Sequence, residues 1–467
     1  MRSHRTNRGP ALVLGLALFA AVGCQPSPSS GPASSELSES YAVRPAPVAS
    51  PAGATSTTSA PTTAAPTTTP ATTTAPTTTT PAVQPSVNGS VWTTPVSQLT
   101  PGDPRWSQRL CSYGDVWGSC GSKWATEMLG GTGDDYGIPV YDASTASTNL
   151  LIRRKNPNQW PGLFTIGSDQ RVPWNPTTWR PSSGRDSYMV VRDSSTGREW
   201  GFWNVSWWAH QTDQTNNVPC DPWLSGNGLN LPAPFGAGWD GSSMLCAASA
   251  FQVRDPQGRP VDTRTWKGNM PGASGGGWHL GPLVVTPDEV ASGRVGHALH
   301  FVSSNTMAGP ECAPSQRSGL GTTCAGAVAP AGQFELVGPT PDLAALARQV
   351  PEGTRFSIDV TDAQIESWLD SRGYTGSLRT TARTIAVALR DYGWFLGDSS
   401  PTSSAWVFDS SPAARTKWRA MGVPGDGKAL LQGLVDQGNL RSWAPPTQTC
   451  ADGSTSTWFC WAVDARY

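Results

Sequence analysis

The residues able to do chemistry gather in three short segments. The sharpest is Gly296-His297-Ala298-Leu299-His300-Phe301. Read as a strand, it puts His297, Leu299 and Phe301 on one face and Ala298, His300 and Val302 on the other. The two histidines point apart and cannot share a metal ion, which needs i, i+2 spacing on a strand or i, i+4 on a helix. One of them can still act as an acid or base, because imidazole titrates near neutral pH. The plainer role is a half-buried ring satisfied by a backbone carbonyl. In the second segment, Arg185-Asp186-Ser187-Tyr188, strand alternation sets Asp186, Tyr188 and Val190 on one face, a carboxylate beside a phenol. The third, Asp391-Tyr392-Gly393-Trp394-Phe395-Leu396-Gly397-Asp398, is an apolar strand with Asp398 in the turn that follows it. Asp186, Tyr188, His297 and Asp398 would together supply an acid, a nucleophile or base, and a hydrogen-bond donor, a set suited to cleaving glycosidic bonds. Gly184 before Asp186, and the Gly-Asp-Ser around Asp398, are also ordinary turn composition.

The 22 tryptophans point to the same ligand class. Indole faces stack on sugar rings, and a surface poor in charge and rich in hydroxyls and amides complements a neutral or mildly charged glycan. Trp203, Trp207 and Trp208, with His300 and Tyr392, are the expected substrate contacts; adjacent Trp207 and Trp208 must face opposite sides of a strand. About half of the tryptophans are expected in the core. No P-loop and no dinucleotide-binding glycine pattern occurs, and no cofactor and no metal are expected. Gly272-Ala273-Ser274-Gly275-Gly276-Gly277 reads as a tight loop whose glycines permit close backbone approach.

Strands must carry these segments. Ser187–Asp193, Glu199–His210, Met244–Arg254, His297–Ser303, Gly393–Leu396 and Ala405–Asp409 are β-rich runs. Thr286-Pro287-Asp288-Glu289 opens a short helix with N-cap, Pro at N1 and Glu at N3. Thr361–Ser371 begins similarly, and Leu378, Ala382, Ile385, Ala386 and Leu389 form the apolar stripe of a helix over Ser377–Asp391. The expected fold is one mainly β domain, a β-sandwich or jelly roll with two or three short helices, after a disordered stalk.

The chain has 467 residues, with 33 Lys plus Arg against 34 Asp plus Glu. A formal charge of −1 argues against a nucleic-acid groove, and no nucleic-acid partner is expected. Arg2, Arg5 and Arg8 precede an apolar run from Ala11 to Val22, too short to span a bilayer but suited to a signal sequence. Small residues then lead to Cys24, in the manner of a bacterial lipoprotein signal. Residues 1–23 are therefore expected to be removed and Cys24 acylated, leaving an exported protein held at the extracellular face of the cell membrane by lipid alone. Residues 24–88, dominated by Pro, Thr, Ser and Ala, cannot bury enough apolar surface to fold and read as an extended spacer. Residues 89–467 are the expected globular part, a monomer. Its eight cysteines, an even number in an exported chain, read as the sequential bridges Cys111–Cys120, Cys220–Cys246, Cys312–Cys324 and Cys450–Cys460.

The stretch from Arg185 to Asp409 resembles a family of exported bacterial proteins without an assigned activity. The likeness rests on Pro287-Asp288-Glu289-Val290 through Gly293-Arg294-Val295-Gly296-His297-Ala298-Leu299-His300-Phe301, and on Ala382-Arg383-Thr384-Ile385 through Asp391-Tyr392-Gly393 to Asp398. It implies roles for His297, Tyr392 and Asp398. The chain departs from the pattern at His300, where the family has arginine, at Asp186-Ser187-Tyr188, where it has Asp-x-His, and at Gly201, where it has an acid that Glu199 could replace. The reading as a whole is a surface-tethered protein that cleaves an extracellular or cell-wall polysaccharide; the alternative is a non-catalytic glycan-binding or adhesive lipoprotein.

Overall fold

The computed structural model describes residues 90–112, 120–121, 124–129, 137–154, 171–182, 187–203, 205–209, 213–215, 244–247, 249–252, 274–307, 326–332, 349–400, 404–449 and 455–458. Within them the chain is sheet-rich, with few helices. A mixed six-stranded sheet runs in the order Ala125–Glu127, Ala405–Val407, Leu299–Ser303, Trp394–Ser399, Arg355–Ile358 and Leu440–Trp443. Its central pair, Leu299–Ser303 and Trp394–Ser399, is parallel. A four-stranded sheet orders Ser249–Gln252, Arg198–Trp203, Met189–Asp193 and Val140–Asp142, and a five-stranded one Arg171–Trp174, Thr148–Arg154, Met244–Ala247, Ser206–Ala209 and Asp213–Thr215.

Period-two alternation separates three cores. Leu299, Phe301, Trp394, Leu396 and Trp406 face the helices, packing with Ile365 and Leu369 of Asp362–Ser371, Ile385 and Leu389 of Gly376–Asp391, and Trp418 of Pro412–Ala420. On the reverse face, Ala298, Val302, Phe395, Ala405 and Val407 meet Val140 and Val190 of the four-stranded sheet, with Trp92, Trp278 and Leu283 between them. The far face of that sheet, including Met189, Val191 and Phe202, packs on Leu150, Ile152, Val172 and Trp174 of the five-stranded sheet. The expected sandwich character thus takes the form of stacked sheets with helices on one outer side.

Two expected strands break. Glu199–His210 gives the separate strands Arg198–Trp203 and Ser206–Ala209, and Met244–Arg254 gives Met244–Ala247 and Ser249–Gln252, and these pair two by two in different sheets. Strands that pass from one sheet to the next make the corner between them. Helices start where the caps predict: Thr286 and Thr361 each form a capping box, with Glu289 and Gln364 reaching back to the cap. Pro104–Ser112 and Pro412–Ala420 were not expected as helices; their apolar stripes hold only a few residues, among them Trp106 with Leu110 and Ala414 with Trp418.

The segment beginning at Ser90 is woven into the core. Trp92 is fully buried, its carbonyl accepts from Ala298 N–H at 2.8 Å, and its ring meets Phe395 edge-on. Buried Arg355 donates to the carbonyls of Val91 (3.0 Å), Thr94 (2.6 Å) and Tyr392 (3.0 Å), tying three chain segments together. Cys111 and Cys120 form a disulfide. Cys24 and the pairs Cys220–Cys246, Cys312–Cys324 and Cys450–Cys460 lie outside the described residues, except for the backbone of Cys246.

Candidate functional site

The site begins with an irregularity. Leu299, His300 and Phe301 pair with Trp394, Phe395 and Leu396, but Val302 pairs with Asp398, so Gly397 is an extra residue in its strand. Trp394 and Leu396 face the helices and Phe395 faces the four-stranded sheet. Unbroken alternation would send Asp398 to the helical side; the bulge turns it the other way. There Asp398 accepts at Oδ2 from the hydroxyl of Tyr188, 2.9 Å away, and at Oδ1 from the Ser399 N–H at 3.0 Å. Both carboxylate oxygens are engaged as acceptors, and the side chain is buried, at 8% exposure. Thr306 Oγ1 donates to the Asp398 carbonyl at 3.0 Å and holds the main chain.

Tyr188 is half-buried at the entrance to its strand, and the residue before it, Ser187, has φ 42°, the left-handed region that a non-glycine residue rarely occupies. The antiparallel ladder of Met189–Asp193 with Arg198–Trp203 ends at the pair Met189 and Phe202, so Tyr188 and Trp203 lie just beyond it on neighbouring strands. Trp203 is half-buried. Two residues singled out from sequence, Tyr188 and Asp398, thus come together. Asp398 lies in the strand Trp394–Ser399 and not in the expected turn after it.

His297 is elsewhere. It precedes Leu299, whose rung with Trp394 is three residues, or ~10 Å, from the rung that holds Asp398. Its Nε2 lies 3.2 Å from Glu289 Oε1 and its Nδ1 2.8 Å from the carbonyl of Ala298. Both ring nitrogens face oxygen acceptors, so the imidazole holds two protons. Burial opposes that charge, but the Glu289 carboxylate and the hydrogen bonds outweigh it and raise the His297 pKa. For Glu289, burial opposes ionisation and the His297 charge and hydrogen bond override it, bringing the pKa down to about 2. Glu289 Oε2 also accepts from the Thr286 N–H and hydroxyl, both at 2.8 Å. His297 is a buried fastening of the Pro287–Ala291 helix, and the structure does not bring it to Asp398.

Other expectations shift. His300 is 1% exposed and cannot be a surface contact; burial drives its pKa down to about 3 and keeps the ring neutral. Its Nδ1 accepts from Trp278 Nε1–H at 3.3 Å. Tyr392 is buried at the end of the Gly376–Asp391 helix, its hydroxyl accepting from Arg294 at 2.9 Å, at the His297 end of the sheet. Asp186 lies outside the described residues, as do the side chains of Trp207 and Trp208, whose backbone forms the strand Ser206–Ala209. Glu199 is buried and accepts from Gly281 N–H at 3.1 Å, so it serves a loop. Of the fourteen tryptophans with described side chains, eleven are buried and three, Trp203, Trp443 and Trp458, are half-buried, so the indoles serve mainly as core. Sequence reasoning missed Glu289, whose capping-box position concealed a second role, and Trp278. Among the described residues no cluster of three or more His, Cys, Asp or Glu could hold a metal ion. No family model, no curated protein and no solved structure matches the chain.

Proposed function

We propose that the chain is a surface-tethered protein that cleaves glycosidic bonds of an extracellular or cell-wall polysaccharide, with Tyr188 and Asp398 as its reacting pair. The observation that carries this reading is the 2.9 Å hydrogen bond from the Tyr188 hydroxyl to Asp398, with half-buried Trp203 at the end of the neighbouring strand. A carboxylate that already accepts the phenol proton can take it as the phenol oxygen attacks the anomeric carbon or removes a ring proton, the first steps of hydrolysis and of elimination respectively. Asp186, two residues from Tyr188 in sequence, is the proposed acid for the leaving oxygen, and Trp203 the platform for a sugar ring. The signal-like N-terminus, Cys24 and the Thr/Pro-rich residues 24–88 support placement outside the membrane on a lipid-held stalk.

The test is incubation of the purified protein with cell-wall and extracellular polysaccharides, followed by assay for reducing ends and for unsaturated products. Products from the wild type, lost in Tyr188→Phe and in Asp398→Asn while the thermal transition stays in place, are expected. Undiminished product from either variant would remove the pair from the mechanism. The remoteness of His297 favours a second reading, a glycan-binding protein without chemistry. Retardation in polysaccharide affinity gels that depends on Trp203, with no product, would establish it.

A further inference from the structure

We infer that Trp278 and His300 are positioning residues that hold the Gly397 bulge and thereby aim Asp398 at Tyr188. The inference rests on the proposed site but concerns how its geometry is made. Gly397 is the inserted residue, and a Cβ there would overlap the Trp278 indole and the His300 imidazole. The two rings therefore lie against the bare Cα and occupy the place a side chain would take. They are joined by the Trp278 Nε1–H to His300 Nδ1 hydrogen bond of 3.3 Å and stand at 88° with centroids 6.0 Å apart. With Nδ1 accepting, the neutral ring carries its proton on Nε2.

The bulge is also held through its backbone. Gly276 N–H donates to the Gly397 carbonyl at 2.8 Å, and Gly332 N–H donates to the Gly276 carbonyl at 2.9 Å. Ser274 Oγ accepts from Trp278 N–H at 3.2 Å, so the loop that supplies the backbone clamp also fixes the indole. The carbonyl of the bulged residue and its Cα are thus both held, the first by a hydrogen bond and the second by the two rings. Were the bulge to relax, strand alternation would swing Asp398 toward the cluster of Leu396, Trp394 and Trp406 on the helical side, and the bond to Tyr188 would be lost.

The experiment follows the phenol directly. Tyrosine labelled with ¹³C at Cζ gives at most eight lines, and Tyr188→Phe identifies the one from Tyr188. In His300→Leu, which keeps bulk but cannot accept from Trp278, that line is expected to move to its position in Asp398→Ala, which has no acceptor for the phenol, while the other lines stay. His300→Asn, whose amide oxygen can take over the acceptor role, should leave it at the wild-type position. If His300→Leu does not fold, Trp278→Phe, which keeps a ring but has no N–H, is read by the same criterion. An unmoved Tyr188 line in a folded variant that has only lost thermal stability would overturn the inference and leave the two rings as packing. The readout needs no glycan, so a chain that cleaves nothing can still pass it, and failure here leaves the cleavage assay standing.

Discussion

Replacing Glu289 with glutamine isolates one charge in a cluster that is otherwise retained. The amide oxygen can still accept from the Thr286 N–H, so the helix cap survives, and only the ion pair with His297 is lost. A fall in the Glu289 pKa from 4.5 to about 2 corresponds to about 3 kcal/mol. Removing one member of a buried ion pair costs ~3–5 kcal/mol, so the two routes agree. The shifts on the two partners express one attraction and are counted once. The signs give opposite limits. Glu289 has a depressed pKa, so its contribution is present above the unfolded value of 4.5 and is lost as pH falls through about 2. His297 has a raised pKa, so its contribution is full below 6.5 and is lost as pH climbs through the higher folded value. Wild-type stability from this pair should therefore be greatest between pH 4.5 and pH 6.5. Urea unfolding across that range and above it is the assay. Glu289→Gln should be less stable by about 3 kcal/mol near pH 6, with the deficit shrinking as pH rises and the wild type loses the same pair. A deficit under about 1 kcal/mol at every pH, or one that does not shrink, would refute a charged His297.

Two further substitutions probe the frame around the site, beside those given for Tyr188, Asp398 and His300. Ser187→Gly should raise stability by about 1 kcal/mol in denaturant unfolding, because glycine adopts φ 42° without a Cβ penalty; a loss would mean that the serine side chain contributes more than its backbone costs. Arg355→Met keeps much of the buried volume but strips donors from the carbonyls of Val91, Thr94 and Tyr392. It should cost roughly 3–5 kcal/mol and admit protease near Trp92, and Arg355→Lys should recover little, since one ammonium cannot span three carbonyls.

Features that depend on neighbours a few residues apart were legible in the sequence. The capping boxes at Thr286 and Thr361, the stripe of Gly376–Asp391, and the face shared by Tyr188 and Val190 all follow from local periodicity. What was not legible depends on register between distant strands. The bulge at Gly397 arises only when the Trp394–Ser399 strand is laid beside Leu299–Ser303, about ninety residues earlier, and it reverses the face on which Asp398 stands. His297 lies in the bend before the Leu299–Ser303 strand, not on a face of it as expected, and a strand pattern does not report depth: one ring became a buried cation and that of His300 a neutral wedge. The change of sheet between Arg198–Trp203 and Ser206–Ala209, and between Met244–Ala247 and Ser249–Gln252, was hidden for the same reason, since a β-rich run that passes between sheets looks continuous.

The way Ser90–Thr94 enters the fold has a mechanical meaning. Tension arriving along the chain from residue 89 would not fall on a surface turn that could peel away. It would load Trp92, fixed through Ala298 to the start of the Leu299–Ser303 strand, and, through Arg355, the Arg355–Ile358 strand and the end of the Gly376–Asp391 helix. Those strands are inner ones of the six-stranded sheet, so the load is spread over several of its elements at once.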